Sequence, residues 1–276
     1  MENKYQWCIA AVPGKAWARK VFLDIPEDEA VEKLWQAILY TSRADNDGVS
    51  AWREHNADLK RRCEHLNSLH LRTLHYKSSN GTDFTVGLIP QAKFLAGAEK
   101  TLGTDVVYNP NIPSEEVFTS PMRGSAEGIV YSTRPLSYRG TMIENFSIRF
   151  ENGAVAEVHA EKGEDALKTL VNMDEGSKML GECALVPYDS PIRNSEIMFY
   201  NTLFDENAAC HLALGDGFVN CIDGFENYTL EQCRDMGINN SMIHEDFMIG
   251  SEDLDITGKT ADGEIVQIFK NGNWAF

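Results

Sequence analysis

The stretch Glu151-Asn152-Gly153 narrows most sharply what this chain can fold into. An Asn-Gly pair supplies the two positive-φ positions of a tight hairpin turn. Residues 145–150 and 154–159 on either side of it read as strands, so the turn commits them to an antiparallel pair. Further extended stretches occur upstream at 71–76, 84–89, 104–108 and 128–132. Downstream lie 181–186 and 265–269, the latter followed by a turn at Asn271-Gly272-Asn273. The pattern predicts a mixed, largely antiparallel sheet.

Ahead of position 71 the pattern is helical. Residues 15–22 form one helix, and Pro26 opens a second over 27–40 with Ala30, Leu34, Trp35 and Ile38 apolar. A third spans 49–69, with Trp52, Leu59, Cys63 and Leu66 on one stripe. His55, His65 and His70, on or beside it, read as surface or core histidines and not as ligands. Residues 6–11 read as a short apolar strand buried on both faces, ended by Pro13-Gly14. Residues 164–171 read as a flanking helix. The expected class is α+β, one domain over 1–276: a helical opening segment over 1–70, then a mixed α+β region over 71–276.

The chemistry-bearing residues gather late in the chain. Residues 204–215 read as an acidic turn entering a short apolar helix over 208–214, capped by Asp205 or Asn207 and stopped by Gly215 and Gly217. On one helix Glu206 and His211 would diverge by about 140°, so they converge only if Glu206 stands outside it. Residues 241–250 read as a strand on which His244 and Asp246 share a face and Glu245 points away. Glu182 opens an apolar strand behind Gly181, a glycine that lets another backbone approach, and a charge there needs a partner. Glu116 lies in a Pro-punctuated loop over 109–121. Together Glu116, Glu182, Glu206, His211, His244 and Asp246 suit two divalent ions, zinc, cobalt or manganese, sharing a bridging carboxylate. Two ions about 3.5–4 Å apart suit hydrolysis of a peptide or amide bond. Taken singly, each residue fits a capping, packed, solvated or salt-bridged role better than a ligand's, and spacing alone does not carry the metal reading.

The net charge of −17 argues against nucleic acid or an anionic membrane as partner. No apolar run reaches the roughly 18 residues of a membrane span, and Met1-Glu2-Asn3-Lys4 is neither a signal nor a transit peptide. Cysteines 8, 63, 183, 210, 221 and 233 form no Cys-x-x-Cys pair, which fits reduced thiols and a cytoplasmic location.

Four blocks carry a resemblance: 116–119 (Glu-Val-Phe-Thr), 181–187 (Gly-Glu-Cys-Ala-Leu-Val-Pro), 205–215, and 244–251 (His-Glu-Asp-Phe-Met-Ile-Gly-Ser). In order and interval they resemble the thermophilic metallopeptidase family of aminopeptidases, the aminopeptidase T, AmpS and PepS group, over essentially the whole chain. The closing Asn271-Gly272-Asn273-Trp274-Ala275-Phe276 is also similar to members of that family. The resemblance implies a metallo-aminopeptidase that removes N-terminal amino acids from peptides. Its two metal ions would be held by Glu116, Glu182, Glu206, His211, His244 and Asp246. The implied mechanism would use ion-activated water against the scissile carbonyl, with a glutamate, Glu182 first and Glu206 second, passing a proton to the leaving amine. The resemblance also implies a homodimer. Two departures stand out. The resemblance places the family's N-terminal α/β domain ahead of residues 6–13, so the expected reading is the family's catalytic portion without that domain. A tyrosine expected seven residues after His211 is Phe218, with Tyr228 the nearest substitute. The alternative reading is a weakly active or inactive metal- or peptide-binding remnant. A phosphoesterase is disfavoured because no Gly-rich phosphate loop accompanies the ligands.

Overall fold

Helices fill the first part of the computed structural model, which describes residues 4–276. They are α1 (Lys15–Val21), α2 (Glu27–Thr41) and α3 (Gly48–Ser68), close to where the apolar periodicity put them. α2 starts behind Pro26 and buries Ala30, Leu34, Ala37 and Ile38. α3 begins where the Asp47 side chain accepts from the Ser50 amide, satisfying a donor the helix itself leaves free. α1 and α2 close a small core with Ile192, Phe199 and Phe204, whereas α3 lays Leu59 and Leu66 on the main core.

Strands follow: β1 (Leu71–Lys77), β2 (Asp83–Gly87), β3 (Leu95–Ala96), β4 (Glu99–Lys100), β5 (Val107–Tyr108), β6 (Val117–Thr119), β7 (Glu127–Tyr131) and β8 (Leu136–Tyr138). After them come β9 (Thr141–Glu151), β10 (Ala154–Lys162), β11 (Leu180–Leu185), β12 (His211–Gly215), β13 (His244–Met248), β14 (Asp255–Thr260), β15 (Ile265–Lys270) and β16 (Asn273–Trp274). Between them lie α4 (Glu164–Val171), α5 (Pro191–Asn194), α6 (Thr202–Asp205) and α7 (Leu230–Asp235). Nine strands make one sheet, in the order β10-β9-β7-β2-β1-β14-β15-β16 with β8 on β9; five make a second, β13-β12-β11-β6-β3. The hairpin forms as the Asn-Gly pair requires: Glu151 pairs with Ala154, with φ of 53° at Asn152 and 82° at Gly153. The two sheets share the main core, where Phe146 of β9 meets Phe247 of β13 with ring centroids 5.9 Å apart.

Three sequence expectations fail. Residues 208–214 are not a helix: a 3-10 turn over Glu206–Ala208 gives way to β12, whose five residues are all buried between β11 and β13. Alanine and leucine favour helix by less than about 0.7 kcal/mol per residue. Burying a leucine is worth roughly 1.5–3 kcal/mol, so tertiary placement wins. Residues 6–11 are not a doubly buried strand. They make a single parallel bridge, Ile9 to Asn111, and Ile9 is 53% exposed. Apolar composition supplied the pattern but no ladder partner. The strand expected over 104–108 shrinks to Val107–Tyr108, paired only with Glu99–Lys100, because Thr101 and Thr104 close a turn through their hydroxyls.

Candidate metal centre

The second sheet builds the site through its register. Glu182 of β11 pairs with Ala213 of β12, and Ala213 pairs with Asp246 of β13. Directly paired residues share a face, so two carboxylates flank one methyl group. His211 and His244 each lie two residues before a member of that row and return to the same face. His244 faces Gly215, which has no side chain to crowd it. Glu182 depends on a close approach: a β-carbon at Gly181 would lie 2.1 Å from the Asp216 carbonyl oxygen, as the glycine suggested. Glu116 immediately precedes β6, the other neighbour of β11. Glu206 reaches in from the 3-10 turn ahead of β12.

Five of the six anticipated residues form two overlapping groups, Glu116–Glu182–His211 and Glu182–His244–Asp246, whose donor atoms lie within 4.8 Å of one another. Glu182 belongs to both. Glu206 lines the same cavity of about 510 Å³ but falls outside both groups.

Each imidazole is fixed by its distal nitrogen. His211 Nδ1 donates to the Ala209 carbonyl at 3.1 Å and His244 Nδ1 to the Asp216 carbonyl at 2.7 Å. Both Nε2 atoms therefore turn to carboxylates. His211 Nε2 is 3.2 Å from Glu116 Oε2; His244 Nε2 is 3.1 Å from Glu182 Oε2 and 3.4 Å from Asp246 Oδ1. A neutral imidazole whose other nitrogen already donates presents a lone pair here, and an ionised carboxylate only accepts. A proton or a cation must sit between them.

With protons alone, burial opposes the charged form of His211, but the hydrogen bond to Glu116 and the surrounding carboxylates hold it up at about 10. Burial likewise opposes charge on His244, and Asp246 and Glu182 push it to about 12. Desolvation lifts Glu182 to about 7 against the pull of His244. Glu206 goes well above the ordinary carboxylate range through desolvation and repulsion from Asp246 and Glu116. Asp246 moves down, because His244 outweighs burial. Its Oδ1 is nonetheless buried without a hydrogen-bond partner. Buried acceptors are normally satisfied, and an oxygen- and imidazole-rich donor set around such an orphan fits divalent cations.

Several supporting residues were invisible in the sequence. Glu115, beside Glu116, is buried and held in a fork by both terminal nitrogens of Arg43. Its amide donates to Asn207 Oδ1 at 2.6 Å, tying it to the residue after Glu206. Ala213, which leaves room between two carboxylates, carried no signal at all. Phe218 lines the cavity with its ring 4.8 Å from that of His244. Tyr228 is 43% exposed and is not part of the cavity wall. The described cysteines are free, and burial pushes the Cys210 and Cys221 thiols up to about 12, which disfavours their thiolate forms.

No helix among the described residues is long and apolar enough to cross a membrane. Comparison with known proteins gives concordant matches. Aminopeptidase AmpS of Bacillus subtilis is 48% identical over 275 residues, covering 99% of this chain and 67% of that one. Aminopeptidase T of Thermus thermophilus is 44% identical, covering 97% of this chain and 65% of that one. The solved structure of wild-type AmpT from Thermus thermophilus superposes with a TM-score of 0.89 at 42% identity, covering 98% of this chain and 65% of that chain. This chain thus spans about two thirds of the length of the relatives it matches. Residues 1–274 match the family described as thermophilic metalloprotease (M29), and the chain belongs to that family.

Proposed function

We propose that this chain is a metal-dependent aminopeptidase that hydrolyses N-terminal residues from peptides at a two-metal site. The observation that carries this is the pair of three-residue groups sharing Glu182, with both imidazole Nε2 atoms facing only carboxylates. Aminopeptidase names on family relatives support the same reaction. One ion would be held by Glu116, Glu182 and His211 and the other by Glu182, His244 and Asp246, with zinc, cobalt or manganese all suited to the donor set. Bound there, divalent ions supply Lewis acidity toward water and the scissile carbonyl.

The remaining roles fall to the chain itself. Glu182 is occupied in both groups, so the proton carrier is Glu206, reversing the order expected from sequence. As the water oxygen bonds to the carbonyl carbon, Glu206 takes the released proton and returns it to the amine nitrogen as the C–N bond breaks. Carboxylates of the lining outside the two groups draw the substrate's α-ammonium into the cavity, and the Phe218 ring, edge-on to Phe118 and tilted against His244, gives that wall an apolar face. Peptides are the substrates; the acidic surface suits neither nucleic acid nor an anionic membrane.

The test is metal content together with leucine-anilide turnover on protein loaded with zinc or cobalt. The expected result is two ions per chain with turnover. Glu206→Gln keeps both ions and loses turnover, whereas Glu182→Gln loses metal as well. Loss of metal by Glu206→Gln, or turnover surviving Glu182→Gln, refutes the assignment. The second reading, a weakly active remnant, rests on Phe218, which has no hydrogen to donate to a carbonyl oxygen; two ions without turnover would favour it.

A further inference from the structure

Six carboxylates reach the cavity wall, those of Glu99, Glu116, Glu182, Glu206, Asp216 and Asp246. Among the described residues, Arg234 is the only lysine or arginine there. It comes from a different element, the last turn of α7, not from the sheet that carries the ligands. It is half-buried, and no described side chain pairs with it; the ion pairs and side-chain hydrogen bonds of the neighbouring segments go elsewhere. A guanidinium left unpaired in an acid-lined cavity is unusual, because carboxylates nearby would normally be recruited to it. On the same segment Asn239 donates through Nδ2 to the Gly176 and Gly215 carbonyls at 2.8 and 2.6 Å. This fixes its amide orientation and leaves a buried Oδ1 with no partner.

A cation and a spare acceptor lining one cavity, among six carboxylates, match a ligand that carries a carboxylate and an N–H. A volume of about 510 Å³ lies in the range of sites that enclose a ligand of a few tens of atoms. We propose that Arg234 seats the C-terminal carboxylate of a short peptide substrate, so that the enzyme selects di- and tripeptides with a free carboxyl end. Asn239 Oδ1 accepts from a peptide N–H along the way. The inference rests on the aminopeptidase reading and adds the substrate class. Away from the residues that would hold the ions, Arg234 is, among the described residues, the one lysine or arginine of the lining that can attract a carboxylate.

The experiment compares Leu-Gly and Leu-Gly-Gly with their C-terminal amides on the metal-loaded full chain. Wild type is expected to favour the free acids by roughly tenfold in kcat/KM, expressed in KM, for a charge-assisted contact at a partly exposed site. Arg234→Met brings that ratio close to one, and Arg234→Lys restores part of it. A merely structural Arg234 would lower acid and amide alike and leave the ratio unmoved. Equal use of acid and amide by wild type, or an unchanged ratio in Arg234→Met, overturns the inference and leaves the aminopeptidase reading standing. The wild-type ratio decides the matter even if the methionine variant fails to fold. Failure to release leucine from any of the four peptides removes that reading and the inference with it.

Discussion

Replacing Arg43 with methionine strips the counter-charge from Glu115, which is 4% exposed and held by both terminal nitrogens of Arg43. Breaking a buried ion pair from one side costs about 3–5 kcal/mol, because the remaining charge is left desolvated. The Arg43 side chain keeps 23% of its exposure, and water can reach that side of the pair, so the loss belongs at the lower end, about 3 kcal/mol. An unfolding entropy of about 2.1 cal/mol/K per residue then predicts a fall in Tm of about 5 °C for a chain of this length. Far-ultraviolet circular dichroism on the metal-free protein measures it. Glu115→Gln should soften the loss, so the double variant lies well short of the sum of the single changes. Glu115 precedes Glu116, a member of one candidate metal group, and is tied to Asn207, so Arg43→Met should also weaken metal binding. Additive single and double variants, or a Tm unchanged within a degree, would show that the fork does not brace the site.

Three further outcomes follow from the site. His211 and His244 are held protonated up to about 10 and about 12 in the metal-free protein, yet only a neutral imidazole ligates. Metal capture must therefore release protons, and affinity must rise with pH. Calorimetry in buffers of different ionisation enthalpy reads the proton count, and zero release refutes the assignment. For the metal-free fold the sign is opposite. The raised histidine values stabilise it fully below about pH 6.5, and that contribution fades as pH passes about 10 for His211 and about 12 for His244. Ala213→Leu pushes a branched side chain between Glu182 and Asp246, and overpacking costs about 1–3 kcal/mol; metal content should drop at least twofold, and full metal loading would refute the packing argument. Phe218→Tyr restores a donor worth about 2.7–4 kcal/mol where it acts on an oxyanion, so kcat should rise with little change in KM, and no rise would show that the tyrosine is not needed here.

The sequence made the hairpin legible because Asn-Gly dictates its own backbone, and it made α2 and α3 legible because their apolar periods are long. It made the six candidate ligands legible as residue types needing partners. It misled over 208–214: a central strand buried on both faces shows no alternation, and a short apolar run rich in alanine and leucine cannot be told from a helix by period. Ala213, the Arg43–Glu115 fork and Arg234 were out of reach for a different reason. Their meaning depends on which residues lie across a strand pair or a cavity, and no local pattern carries that.

The row Glu182–Ala213–Asp246 also bears on how the protein reaches its folded state. A slip of one residue in the β11–β12 or β12–β13 pairing would turn one strand's ligands to the opposite face. On the proposed two-metal reading, metal capture is therefore a checkpoint on assembly, since a mispaired chain would offer scattered donors that hold an ion poorly. Divalent metal present during refolding should raise the fraction of correctly paired molecules, and added after refolding it should rescue only those already paired. Order of addition, at constant final metal concentration, would then set the yield of active protein.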